Sequence, residues 1–202
     1  LASKLWGRRE GAAATKTLKY NLSSAENRVA ELDEGVHGPL VNVVTFEATT
    51  GEDVEVDVVN PFSFLHLVGT SSADFARFFL AHVPHSATVG GEASPAHIAI
   101  YLDDTRPGNV LHAGPKRAYY AVYWTLLEFP EWFRATPHGW FPLCFVKLLD
   151  LKRVDGYISR LVSVLLLVMF HPREHNFETL GMTFYDGGGA VVAWFRARLV
   201  AF

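Results

Sequence analysis

The clearest periodicity in the chain lies in DVEVDVVN (53–60), where Val54, Val56 and Val58 alternate with Glu55 and Asp57. Period two marks a strand with one face in a core and the other in water. PLVNVVTFEA (39–48) before it is also β-rich, and TTGED between the two has turn chemistry, so the pair reads as a hairpin. The period then lengthens. NPFSFLHLVGTSSADFARFFLAHV (60–83) sets Phe64, Leu65, Leu67 and Val68 near one face, then Phe75, Phe78, Phe79 and Val83. Two short helices, broken around Gly69, Thr70 and Ser71, are expected there. PHSATVGGEASPA (84–96) is a loop by its Pro, Gly and Ser content.

From His97 the pattern predicts a strand (97–103), a turn, a strand (118–128), a loop and a strand (140–148). A helix over 152–170 follows, with Val154, Tyr157, Ile158, Leu161, Leu165 and Val168 on one stripe. A hairpin of 180–185 and 190–200 around DGGG (186–189) comes last. Three strands joined without helices favour an antiparallel meander, with a helix then covering one face. Upstream, SSAENRVAELDEG (23–35) reads as a short helix capped by Ser24 and ended by Gly35. The chain thus divides into a polar segment (1–36), a hairpin-plus-helices region with its loop (37–96), and a third region (97–202).

Composition narrows this picture. Half of the 202 residues are hydrophobic and 13% aromatic, enough for a substantial core and unlike a disordered chain. A net charge of −3 creates no global field for nucleic acid or anionic lipid, so a polyanion would need a local patch. The single cysteine, Cys144, forms no internal disulfide and reads as a buried apolar thiol, which fits a reducing compartment. No signal peptide is visible in the first twenty residues, which carry Lys4, Arg8, Arg9, Lys16 and Lys19. The expectation is an intracellular protein, nuclear if it works on DNA. LVSVLLLVMF (161–170) is half the roughly 20 residues needed to span a bilayer, so it reads as core helix; peripheral membrane association is the other use for it. Because the chain starts at Leu1 and ends at Phe202 within the apolar run LVAF, it reads as a fragment of something longer.

Candidate chemistry centres on HIAIYLDDTRPGN (97–109), where an apolar run ends in two adjacent carboxylates. Asp103 and Asp104 are either turn formers that bond nearby backbone N–H groups or ligands for a hard cation. Strand alternation sends them to opposite faces, so one of the two is the better ligand. Two-metal phosphodiester chemistry needs acids from several elements, and an Asp pair alone does not supply them. Three adjacent strands with an acid on the first and a helix after the third suggest a ribonuclease-H-like α/β fold, with a mixed sheet.

YLDDTRPGNVL (101–111), KRAYYAVYWTLLEF (116–129), WFPL (140–143) and NPFSFLHL (60–67) together resemble a large family of repetitive, mobile-element-derived proteins of dinoflagellate genomes. The resemblance extends over most of residues 60–202, with Thr125 where the family pattern usually has Ser. That family is in turn similar to transposon-encoded proteins with a ribonuclease-H-like core. The resemblance implies Mg²⁺- or Mn²⁺-dependent cleavage or transfer of DNA strands. Asp103 would then be the first metal-binding acid and Asp104 its neighbour in the catalytic pair, while Arg106, Lys116 and Arg117 would hold DNA phosphate. It also implies a second acid just after the strand ending at Phe202, and a cysteine-rich, zinc-binding stretch beyond. Residues 1–202 alone are therefore expected to be inactive. The alternative is a non-enzymatic relic or interaction module.

Other motifs carry less. HPREH (171–175) would align two histidines on a helix, but Pro172 marks a helix end and no third ligand lies nearby. His82 and His85 straddle a proline at a helix end, and His97 begins a strand as polar trim. Ser159 lacks a nucleophile-elbow context. Trp124, Trp132, Trp140 and Trp194 read as core or rim packing before base-stacking platforms. Gly187, Gly188 and Gly189 are turn residues without the strand-to-helix setting of a phosphate loop.

Overall fold

A computed structural model describes residues 36–49, 51–105, 118–185 and 189–201. The short helix expected at 23–35 and most of the turn after Asp104 lie outside the described residues, as do Arg106, Lys116 and Arg117. The fold is mixed α/β. Strands β1 (Val41–Phe46), β2 (Val54–Val59), β3 (Ala96–Thr105), β4 (Tyr119–Leu126), β5 (Phe141–Lys147) and β8 (Ala197–Ala201) make a six-stranded mixed sheet in the order β1-β2-β5-β4-β3-β8. The hairpin β1–β2 is antiparallel, with Val44 opposite Val56, and it joins the larger sheet where Val58 meets Cys144. Strands β3, β4 and β5 form the expected meander. β8 returns parallel to β3, with Ala96 beside Ala197. β6 (Met182–Tyr185) and β7 (Val191–Phe195) form a separate two-stranded sheet.

Helices α1 (Pro61–Ser71), α2 (Ala73–His82) and α5 (Tyr157–Phe170) supply the apolar cover, while α3 (Glu131–Arg134) and α4 (Leu148–Leu151) are single turns. One face of the sheet, carrying Val54, Val56, Val58, Ile98, Ile100, Val122, Trp124 and Leu126, packs into one core. Phe62, Leu65, Phe79, Leu161, Leu165, Met169, Phe184 and Phe195 meet it from the helices and the β6–β7 hairpin. Stacked ring pairs tie the layers: Phe79 on Phe184 at 4.6 Å and Phe62 on Phe177 at 4.0 Å. Cys144 lies in this core, and burial pushes its thiol up to about 12.

Local chemistry explains the boundaries. Asn60 caps α1, its Oδ1 accepting from the N–H of Phe62 at 3.0 Å and of Ser63 at 3.4 Å, with Pro61 in the first turn, where proline is tolerated. The break between α1 and α2 falls at Ser72, later than the expected Gly69–Ser71, because Ser72 ends one helix and caps the next through Oγ to Phe75 N–H. Gly69 stays helical and serves packing instead: a Cβ there would lie 2.5 Å from the Phe184 ring. The helix expected over 152–170 begins only at Tyr157. Val154 bridges to Ala48, and Gly156, at φ 78°, takes the left-handed conformation that glycine tolerates. Of the expected stripe, Leu161 and Leu165 are fully buried, while Tyr157, Ile158 and Val168 are partly buried against the core; Met169, outside the expected stripe, is fully buried as well. The last expected strand, 190–200, is two strands. At Arg196 the chain leaves β7, its carbonyl accepting from Ala96 N–H at 2.7 Å, and Ala197 N–H then donates to Phe177 O at 2.8 Å. No helix of the described residues is long and apolar enough to cross a membrane.

Candidate functional site

Asp103 and Asp104 sit at the carboxyl end of β3, opposite Ala121 and Tyr120 of β4. Both are exposed. Because facing residues share a side of the sheet, Asp104 lies on the helix-covered side with Tyr120, and Asp103 on the open side with Tyr101. Asp104 is near the start of α5. Tyr157 Oη donates to Tyr120 Oη at 3.3 Å, and the Tyr157 phenol is pushed up to about 12, by burial first, then by Tyr120 and by the negative charge of Asp104. Asp103 has the corresponding effect on Tyr123, whose phenol is raised by burial and then by that carboxylate. The pair therefore presents one charge to each side. The last paired residue of β8, Ala201, stands beside Ala99, so both acids project past the paired part of that strand.

Whether Mg²⁺ fits can be judged from this donor set. The pair offers one carboxylate to each face, and among the described residues no group of three or more His, Cys, Asp or Glu side chains is placed to hold a metal ion. These residues do not make a two-metal site by themselves, because that chemistry needs acids from several elements converging on one point and this pair diverges. The basic residues expected to hold phosphate, Arg106, Lys116 and Arg117, are outside the described residues.

The histidines sort themselves differently from their spacing. His171 caps the end of α5, so it does not share a helix face with His175. His82 and His85 bond locally through Nδ1, to Phe78 O and Val83 O. His97 is more than trim. Its Nδ1 lies 2.8 Å from Glu128 Oε1, and the same carboxylate accepts from the His97 backbone N–H. Arg198 Nη2 is 3.1 Å from His97 Nε2. A guanidinium only donates, so Nε2 accepts and Nδ1–H donates to Glu128. This chain of bonds fastens β8 to β3 and to the end of β4.

Two groupings escaped the sequence. His37, His66, His175 and Tyr185 gather from four separate segments, with ring centroids 5.7 Å apart for His37–His66, 6.0 Å for His37–His175 and 5.2 Å for His66–Tyr185. Burial, then the two neighbouring histidines, lowers His37 to about 4, and burial lowers His66. Only distance in sequence hid them. The second grouping is an aromatic concavity of about 410 Å³ on the open face, lined by Tyr101, Tyr123, Pro137 and Trp140. The residue alternation that placed Tyr101 and Tyr123 on strands was a usable signal; the fold-over of Pro137 and Trp140 was not. Comparisons with family models, with curated proteins and with solved structures return no match to this chain.

Proposed function

We propose that residues 97–201 are a ribonuclease-H-like core derived from a transposase-like protein, whose ancestral activity is Mg²⁺- or Mn²⁺-dependent cleavage or transfer of DNA strands. One observation carries the reading. Three antiparallel strands β5-β4-β3 are extended by β8, parallel to β3 and reached through α5, and the acid pair stands at the shared carboxyl end of β3 and β8. Ligands of α/β sheets gather outside the carboxyl ends of parallel strands, because loops there converge above open strand ends. The sequence resemblance points the same way. A complete metal site needs acids besides those described, so residues 1–202 are proposed to be inactive alone. Asp103 is the ligand favoured by resemblance and Asp104 the one favoured by its position on the helix side.

The experiment is nicking of supercoiled plasmid with Mg²⁺ or Mn²⁺, by residues 1–202 and by a protein extended with whatever natural sequence follows. The expected outcome is activity in the longer protein, abolished by Asp103→Asn or by Asp104→Asn. Nicking that survives both substitutions overturns the reading. A non-enzymatic interaction module is the second reading, and the exposed aromatic groups of the open face favour it.

A further inference from the structure

On the open face, Tyr101 of β3 stands directly opposite Tyr123 of β4. Trp140, one residue ahead of β5, approaches from the side, its ring centroid 5.7 Å from that of Tyr101 and its plane inclined by 57°. With Tyr123 and Pro137 they line an open concavity of about 410 Å³. The wall is preformed. Thr125, fully buried, donates from Oγ1 to Gly139 O at 2.6 Å, and Trp140 Nε1–H donates to Arg134 O at 2.8 Å. Gly139 permits this fold-over, since a Cβ there would lie 2.4 Å from Phe133 O. Tyr123 is braced on its far side by Phe145, edge to face at 5.6 Å.

Charge gives the concavity a sign. Asp103 follows Tyr101 by two residues on the same face and lies diagonally across from Tyr123. The negative faces of aromatic rings attract cations, and a carboxylate near enough to act on Tyr123 adds to that field. Apart from phenol hydroxyls, the lining has little with which to replace water around a bare ammonium or guanidinium. A methylated ammonium has less hydration to lose, and its methyl groups match the apolar lining.

We propose that Tyr101, Tyr123 and Trp140, with Pro137 beside them and the carboxylate of Asp103 beyond the two tyrosines, form a binding site for a small quaternary-ammonium compound. This site shares Asp103 with the nuclease reading but needs no metal and no nicking activity, so choline binding and plasmid nicking can fail separately. The test is calorimetric titration with choline, and with 3,3-dimethylbutan-1-ol, which has the same shape without the charge. Choline is expected to bind about threefold to fivefold more tightly than the neutral alcohol, the size of a cation–aromatic preference at a half-exposed site. Tyr101→Leu, at a half-exposed position that should leave folding intact, is expected to remove most of that preference. Asp103→Asn is expected to weaken choline and leave the alcohol unchanged. Equal affinity for both compounds, no binding of choline, or choline binding unchanged in Tyr101→Leu or in Asp103→Asn would each overturn the inference.

Discussion

The two faces of the central sheet are made by the same strands and have opposite characters. Toward the helices, Val58, Ile98, Val122, Trp124 and Leu126 are each fully buried. Toward solvent, Val43, Tyr101 and Phe145 remain half exposed or more, with Asp57 and Asp103 among them. The covered face is stabilised by removal of apolar area from water, a term proportional to area and indifferent to chemical detail. The open face gains little from burial, so its aromatic groups contribute mainly through what they can meet. Stability and recognition are thus divided between the sides of one sheet. The division is crossed at Thr125, which belongs to the open side yet is sealed by the turn at Gly139.

That contrast can be broken most severely at Phe79, which stacks on Phe184 and is fully buried. Phe79→Ala is expected to cost about 3–5 kcal/mol in denaturant unfolding, since it removes a large side chain and leaves a cavity. A cost below about 1 kcal/mol would mean that the helical layer does not hold the sheet.

Acid should act next, and on the covered side only. His37 is neutral in the fold, its affinity for protons lowered to about 4 by burial and by His66 and His175. The unfolded chain takes up that proton nearer the ordinary value of about 6.5. Stability contributed by the neutral ring is therefore fully present above that value, declines as pH falls, and levels off below about 4. Thermal melts from pH 7.5 to 4 should trace this decline, and His37→Gln should make it shallower, leaving the part that belongs to His66. A decline of equal steepness in the variant would exclude His37 as its source.

The smallest effect belongs to the open face. Phe145→Ser, at a side chain 50% exposed, is expected to change stability by no more than about 0.5 kcal/mol. A loss of several times that amount, measured by the same unfolding curves, would show that the face is covered in solution.

Legibility in the sequence followed the same division. Strand β2 was plain because Val54, Val56 and Val58 enter the core while Glu55 and Asp57 stay wet. The meander β3–β4–β5 was visible for the same reason, its ends misplaced by a residue or two. The joint at Arg196 was not visible. VVAWFRARLVA contains no proline or glycine, and the separation into β7 and β8 comes from remote partners, Ala96 and Phe177. The start of α5 was overrun because Val154 belongs to the apolar pattern but is claimed by Ala48. Of the candidate site, the position of the acid pair was readable and its division between two faces followed from alternation. The His37 cluster and the aromatic concavity required the tertiary fold, since their members come from segments far apart in the chain.

The fit between Gly69 and Phe184 has a consequence for how this chain can vary. With no room for even a methyl group between helix and ring, the two positions behave as one heritable unit. A bulkier residue at the first is tolerable only in a lineage that has already trimmed the second. Growth at Gly69 alone would pry α1 from the β6–β7 hairpin, whereas a smaller residue at 184 alone would leave a gap beside Phe79.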